Sequence, residues 1–148
     1  MNRWATSDFP GWSRRRKPWQ TSPMTLAHLV GIACAGALGA LLRAGCNAAA
    51  LRWLGGGFPW GTLAVNVAGS FAFGAIAGYA RARGGLPSGL ETILLVGLLG
   101  GFTTYSSFAF QSVELLEQGR SAAAFAYVAA TNVAAIAAAW AGLRLLSG

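Results

Sequence analysis

Gly100-Gly101-Phe102-Thr103-Thr104-Tyr105-Ser106-Ser107-Phe108 gathers glycines, hydroxyls and aromatic rings inside an apolar run that spans 90–110. A helix that only had to cross a bilayer would not interrupt itself there. Backbone freed from helical bonding at membrane depth is tolerated where it is buried in protein or lines a polar cavity. A helix broken over 100–104 releases backbone carbonyls. In transporters such carbonyls coordinate cations near the midplane. The side chains offer the opposite chemistry. Asn66 has an amide, Thr62, Ser70, Thr103, Thr104, Ser106, Ser107 and Thr131 have hydroxyls, and Arg43 is a fixed cation. Tyr105 and Phe108 can turn a positive ring edge toward a lone pair. Donors without acids suit a small anion, which must trade hydration for many weak contacts and still leave.

The absences narrow the chemistry further. Glu91, Glu114 and Glu117 lie near helix ends and His28 at a helix start, so no acid or imidazole sits deep in an apolar run. A proton-coupled transporter needs an intramembrane ionisable carrier. Metal and redox enzymes need ligand clusters, and a hydrolase needs a nucleophile with its base. Each donor taken alone has a plainer reading. A span Asn more often bonds a neighbouring helix, and span Ser and Thr often bond back to their own. A Gly-Gly pair can be a kink, Tyr105 and Phe108 can be packing, and Arg43 can snorkel to an interface. Their joint presence in a chain with little else polar favours a site.

Four helices must position these groups. The first runs from Leu26 into Arg43 and on toward Leu51. Gly31, Ala35, Gly39 and Arg43 recur on it at four-residue steps, a small-residue face for close packing in lipid. Trp53 and Trp60 flank the loop Gly55-Gly56-Gly57-Phe58-Pro59, as interfacial aromatics do. The second helix covers 60–80 and carries Thr62, Asn66, Ser70, Gly74 and Gly78 along one face. The third begins near 87–90, holds the interruption and ends in a polar tail from Gln111 to Glu117. The fourth covers 121–146, with Tyr127, Thr131 and Asn132 as its polar content.

Composition agrees with a membrane chain. Of 148 residues, 55% are hydrophobic and 10% charged, against about 25% charged in soluble domains. The apolar runs 26–42, 60–80, 90–110 and 122–146 approach the roughly 20 residues a span requires. One integral membrane domain over 24–148 fills the chain. The net charge of +7 is no nucleic-acid signal, because no basic face interleaved with aromatics is present. Arg3, Arg14, Arg15, Arg16 and Lys17 concentrate instead in residues 1–23, which read as a basic, disordered N-terminal tail. The apolar run behind it is too long for an export signal and lacks a clear cleavage site. A start at Met24 is the alternative. Cys34 and Cys46 lie about 18 Å apart along one helix, beyond disulfide reach, and read as packing residues.

Two motifs carry a resemblance. Gly61-Thr62-Leu63-Ala64-Val65-Asn66-Val67-Ala68-Gly69-Ser70-Phe71 and the 100–108 stretch resemble the signature motifs of the small fluoride channels, the Fluc or CrcB family. Gly36-Ala37-Leu38-Gly39-Ala40-Leu41-Leu42-Arg43 resembles that family's first-helix motif. The resemblance implies an all-α membrane protein of four transmembrane helices, the third broken mid-membrane, paired as an antiparallel, dual-topology homodimer. It implies two fluoride pores, a structural sodium ion at the dimer centre, and passive export of cytoplasmic fluoride across a bacterial inner membrane, with no enzymatic activity. Asn66 would be the pore asparagine, and Tyr105 and Phe108 the two aromatic positions lining fluoride sites. The backbone carbonyls of Gly100 and Thr103, from both subunits, would hold sodium. Arg43 would stand at a pore vestibule, and Thr62, Tyr127 and Thr131 on the polar track. The chain departs from the pattern at Tyr105, where Phe is usual, and at Ser107, where Thr is usual. Ala35 and Ala44 replace a Gly and an aromatic, and Ala135 stands where a further hydroxyl is expected.

Dual topology requires nearly balanced loop charges. From Met24 onward Arg81, Arg83 and Arg144 share the side of the termini, against Arg52 and Arg120. The basic tail would tip that balance strongly, which favours either a start at Met24 or some loss of dimer yield. The competing function is a small four-helix, proton-coupled drug or cation exporter, disfavoured by a first helix without a carboxylate. A non-transporting scaffold would explain the Gly and Ala packing but not Asn66 beside a broken helix.

Overall fold

Each helix begins and ends where the local chemistry dictates. The computed structural model describes residues 25–87 and 89–147, so the basic tail and the alternative start at Met24 lie outside the described residues. The first span, Leu26–Leu54, starts at Thr25, whose hydroxyl accepts from the His28 backbone N–H, and His28 reciprocates. It ends at Gly55, whose φ of 76° only glycine adopts easily. The expected end near Arg43 to Leu51 was too early. Residues 44–54 contain neither Gly-Gly nor Pro, and their run of alanines favours helix until Gly55.

The second span, Trp60–Ala82, follows Pro59. The fourth, Ser121–Leu146, has the predicted bounds. The third, Leu90–Glu117, is assembled from pieces. Leu90–Thr92 leads into a π-helical segment, Ile93–Leu99, and a short α-turn, Gly100–Phe102. Tyr105–Glu117 then completes the span. All four spans are long and apolar enough to cross a membrane. The protein is therefore an all-α, multi-pass membrane protein.

The second and fourth spans meet backbone to backbone. A Cβ on Gly74 would strike the carbonyl of Ala139, and one on Gly142 the carbonyl of Phe71. Small residues permit this approach where lipid gives helices no hydrophobic reason to associate. The first span packs on the opening half of the third in the same manner, with Gly39 against the Leu98 carbonyl and Gly101 against that of Gly36. Gly39 is its only buried residue. A core of Phe108, Leu115, Ala124 and Tyr127, ringed by Phe58, Leu63 and Ala123, joins the closing half of the third span to the fourth. Leu41, Trp53, Phe110, Val133 and Ile136 are exposed, an outer surface that hydrocarbon rather than water solvates.

Candidate functional site

The third span opens at two residues. Thr103 (φ −80°, ψ 159°) and Thr104 (φ −151°, ψ 117°) are extended between helical segments. The break redirects the backbone bonds around it. The Thr103 N–H still reaches Leu99 O at 2.9 Å. The Thr104 N–H, which an unbroken helix would give to Gly100, donates to Asn66 Oδ1 at 2.9 Å. The Ser107 N–H, which would go to Thr103, donates to Thr104 Oγ1 at 3.2 Å. The Gly101 carbonyl accepts from Arg43 Nε at 3.2 Å. The carbonyls of Gly100 and Thr103 are left without a donor among the described residues.

Asn66 is the clamp. Its Nδ2 donates to Thr104 O at 3.0 Å while its Oδ1 takes the Thr104 N–H, so one amide pairs both backbone groups of an extended residue. One of its two N–H donors is used and one remains. Gly69, three residues further along the same helix, is close enough to Thr103 that a Cβ would strike its methyl group. Thr104 also caps the helix that follows, its hydroxyl accepting the Ser107 N–H at 3.2 Å while donating to Ser107 Oγ at 3.0 Å. Such a cap is typically worth about 1 kcal/mol. Arg43 lies on a freed carbonyl, because the small-residue face of the first span packs on the break itself.

Beyond the break the aromatic rings form a chain. Tyr105 and Phe108 have centroids 5.5 Å apart at 52°. Phe108 meets Tyr127 at 5.2 Å, and Tyr127 meets Phe58 edge-on at 5.4 Å. Tyr127 is 0% exposed and Tyr105 77%. The Tyr127 hydroxyl donates to Gln111 Oε1 at 3.0 Å. Thr62 is buried beside that phenol, and Thr131 is buried with its Oγ1 unpartnered among the described residues. Tyr105, Phe108, Tyr127 and Phe58 thus form one run of ring contacts, with Gln111 and Thr62 beside the Tyr127 phenol.

Two clefts flank this line. One, of about 240 Å³, is bordered by Ser70, Leu99, Gly100 and Thr103. The other, of about 280 Å³, lies under the loop after the first span and reaches Thr62 and Gln111. Among the described residues no group of three His, Cys, Asp or Glu side chains could hold a metal.

The structure thus brings together Asn66, Arg43, Thr103 and Gly100 at the break, and Phe108, Tyr127, Thr62 and Thr131 beyond it. Tyr105 alone points outward. Gln111 and Phe58 were missed. Gln111 stands three residues after Phe108 and so shares its helix face, a signal hidden by reading 111–117 as a polar tail. Phe58 sits in a loop, where no periodicity could assign it.

The family model for CrcB-like protein, Camphor Resistance (CrcB), matches residues 30–143. The chain belongs to the CrcB family. The matched region takes in the break, its clamp and the aromatic chain. Among CrcB relatives, a protein of Methylobacterium nodulans named fluoride-specific ion channel FluC is 46% identical over 109 residues, covering 74% of this chain and 87% of the relative. A protein of the same name from Anaeromyxobacter dehalogenans is 45% identical over 121 residues, covering 82% and 96%. One from Nitrobacter winogradskyi is 37% identical over 123 residues, covering 83% and 98%.

Proposed function

We propose that this protein is a fluoride-selective ion channel that lets cytoplasmic fluoride leave passively across a bacterial inner membrane, and that it is not an enzyme. Its kinship along nearly the whole span region with relatives named fluoride-specific ion channel FluC carries the reading. The geometry supports it. Fluoride enters cells as the neutral acid, ionises, and leaves as the anion. The path offers that anion the free Asn66 N–H, the edges of Tyr105 and Phe108, and the hydroxyls of Thr62 and Thr131, with Tyr127, held by Gln111, and Arg43 beside them. No carboxylate lies in the middle of a span, so a proton-coupled exporter is not favoured.

A sodium ion fits the other side of the break. The free carbonyls of Gly100 and Thr103 border one cleft, and unpaired carbonyl oxygens suit a hard cation. One copy provides two such ligands, too few for a full shell, so the proposal includes a second copy. An antiparallel homodimer would complete the shell and cover Tyr105. A bound sodium would hold the two breaks together, leaving the side chains to face the anion.

Fluoride efflux from liposomes tests the reading, with Asn66→Asp and Phe108→Ile as controls. Wild-type efflux that both variants diminish is the expected result. No fluoride-selective flux from folded protein would end the channel reading, and drug-dependent proton flux would favour the exporter.

A further inference from the structure

We propose that the cavity beneath the 55–59 loop is a mouth of the ion path, and that Asn47 is the donor that selects and dehydrates the anion there. This rests on the channel reading above. The cavity, of about 280 Å³, runs from the Gly55–Pro59 loop to Thr62 and Gln111. Gln111 in turn holds the Tyr127 phenol at 3.0 Å. Gln111, together with Phe58 and Leu115, therefore joins the cavity to the buried Phe108–Tyr127 stack.

Asn47 belongs to the wall of this cavity. It is the next four-residue step after Gly31, Ala35, Gly39 and Arg43, so it continues the face by which the first span packs inward. Its Oδ1 is fully enclosed and has no hydrogen-bond partner among the described residues. That oxygen lies against Gly61, where a Cβ would collide with it. Only a Cα–H, a weak donor, faces it there. With the oxygen turned to the wall, the Nδ2 group is the end left to the cavity. No acceptor for it occurs among the described residues. A part-buried amide whose N–H groups meet nothing is costly unless the cavity contents accept from them. Water does so at rest, and a small anion does so in transit.

The other charged groups at this mouth do not decide the sign of the ion. Glu114 and Arg120 both line it and oppose one another. Thr62 is fully buried, deeper than the half-buried Asn47. Asn47 is therefore the neutral donor an entering anion meets before the hydroxyls. A hydroxyl or amide at this place strips one water and replaces it, without binding so tightly that the ion stays.

The test uses the full chain in liposomes, with Asn47→Asp, Asn47→Ala and Asn47→Ser, measuring fluoride efflux, its half-saturating concentration and the melting temperature. One donor to an ion predicts about a tenfold loss of efflux in Asn47→Ala and at least as much in Asn47→Asp. The half-saturating concentration should rise, Asn47→Ser should recover part of the loss, and melting should be unchanged. Efflux within about twofold of wild type in both Asn47→Ala and Asn47→Asp, on the same affinity scale, overturns the proposal. So does an equal loss in Asn47→Ala and Asn47→Ser accompanied by lower melting, which is the mark of packing alone. If Asn47→Asp yields no folded protein, the Ala and Ser pair decides. A wild type that carries no fluoride refutes the channel reading instead, so the two failures are distinguishable.

Discussion

Between the second and fourth spans, Gly74 and Gly142 bring two unbroken helices together until backbone touches backbone. In the third span the backbone is opened at Thr103 and Thr104 and closed again by side chains from other helices. Both regions answer the same constraint, that no polar backbone group may face lipid unpaired. The first answers it within each helix and uses the glycines only for packing. The second borrows an amide from the second span and a guanidinium from the first. The helix pair gains a rigid scaffold and no chemistry. The opened segment gains free carbonyls on one side and donors on the other, and its stability depends on residues far away in sequence.

That contrast can be broken at its strongest point by Asn66→Leu. Two buried backbone groups of Thr104 lose their partners, at about 1–3 kcal/mol each. We expect the largest fall in thermal stability of any single change here, together with loss of fluoride efflux. If Asn66→Leu melts like wild type, the clamp is not what closes the break. Arg43→Ala comes next. It uncovers the Gly101 carbonyl and removes a charged donor, about 1.5–3 kcal/mol. Melting and efflux should fall together, whereas a drop in efflux with unchanged melting would place Arg43 on the ion path only.

Gly142→Ala probes the other region. The new Cβ meets the Phe71 carbonyl, and forced separation of packed elements costs about 1–3 kcal/mol. Melting should fall, while the anion preference of the protein that remains folded stays that of wild type. A changed fluoride-to-chloride ratio would show that the scaffold also shapes the path. Tyr127→Phe is the mildest. It deletes the bond to Gln111, worth about 1 kcal/mol, and a small loss of stability should accompany a measurable loss of efflux.

Much of the fold could be read from the sequence because hydrocarbon imposes simple rules. Four apolar runs of spanning length became four helices, and the fourth was bounded correctly because Ser121 follows Gly119 and Arg120 in a short turn. The small-residue face of the first span was visible at four-residue steps, as was the line from Thr62 to Gly78. Which partner each face meets was not visible. The π-helical segment Ile93–Leu99 widens the turn and rotates every residue after it, so helical periodicity could not carry the face of Leu90 through to Phe108.

The residue types and spacing alone therefore determined a four-helix membrane protein with donors, no buried acids and a segment unfit to be plain helix. Hydropathy and local chemistry act over a few residues, and a sequence displays them directly. Only the tertiary structure decided that Asn66 closes on Thr104, that Arg43 covers Gly101, and that Gln111 holds Tyr127. Those pairings join residues 38, 58 and 16 positions apart. They exist because glycine-mediated approach of the helices brings each polar group to the one orphaned partner that lipid could not satisfy.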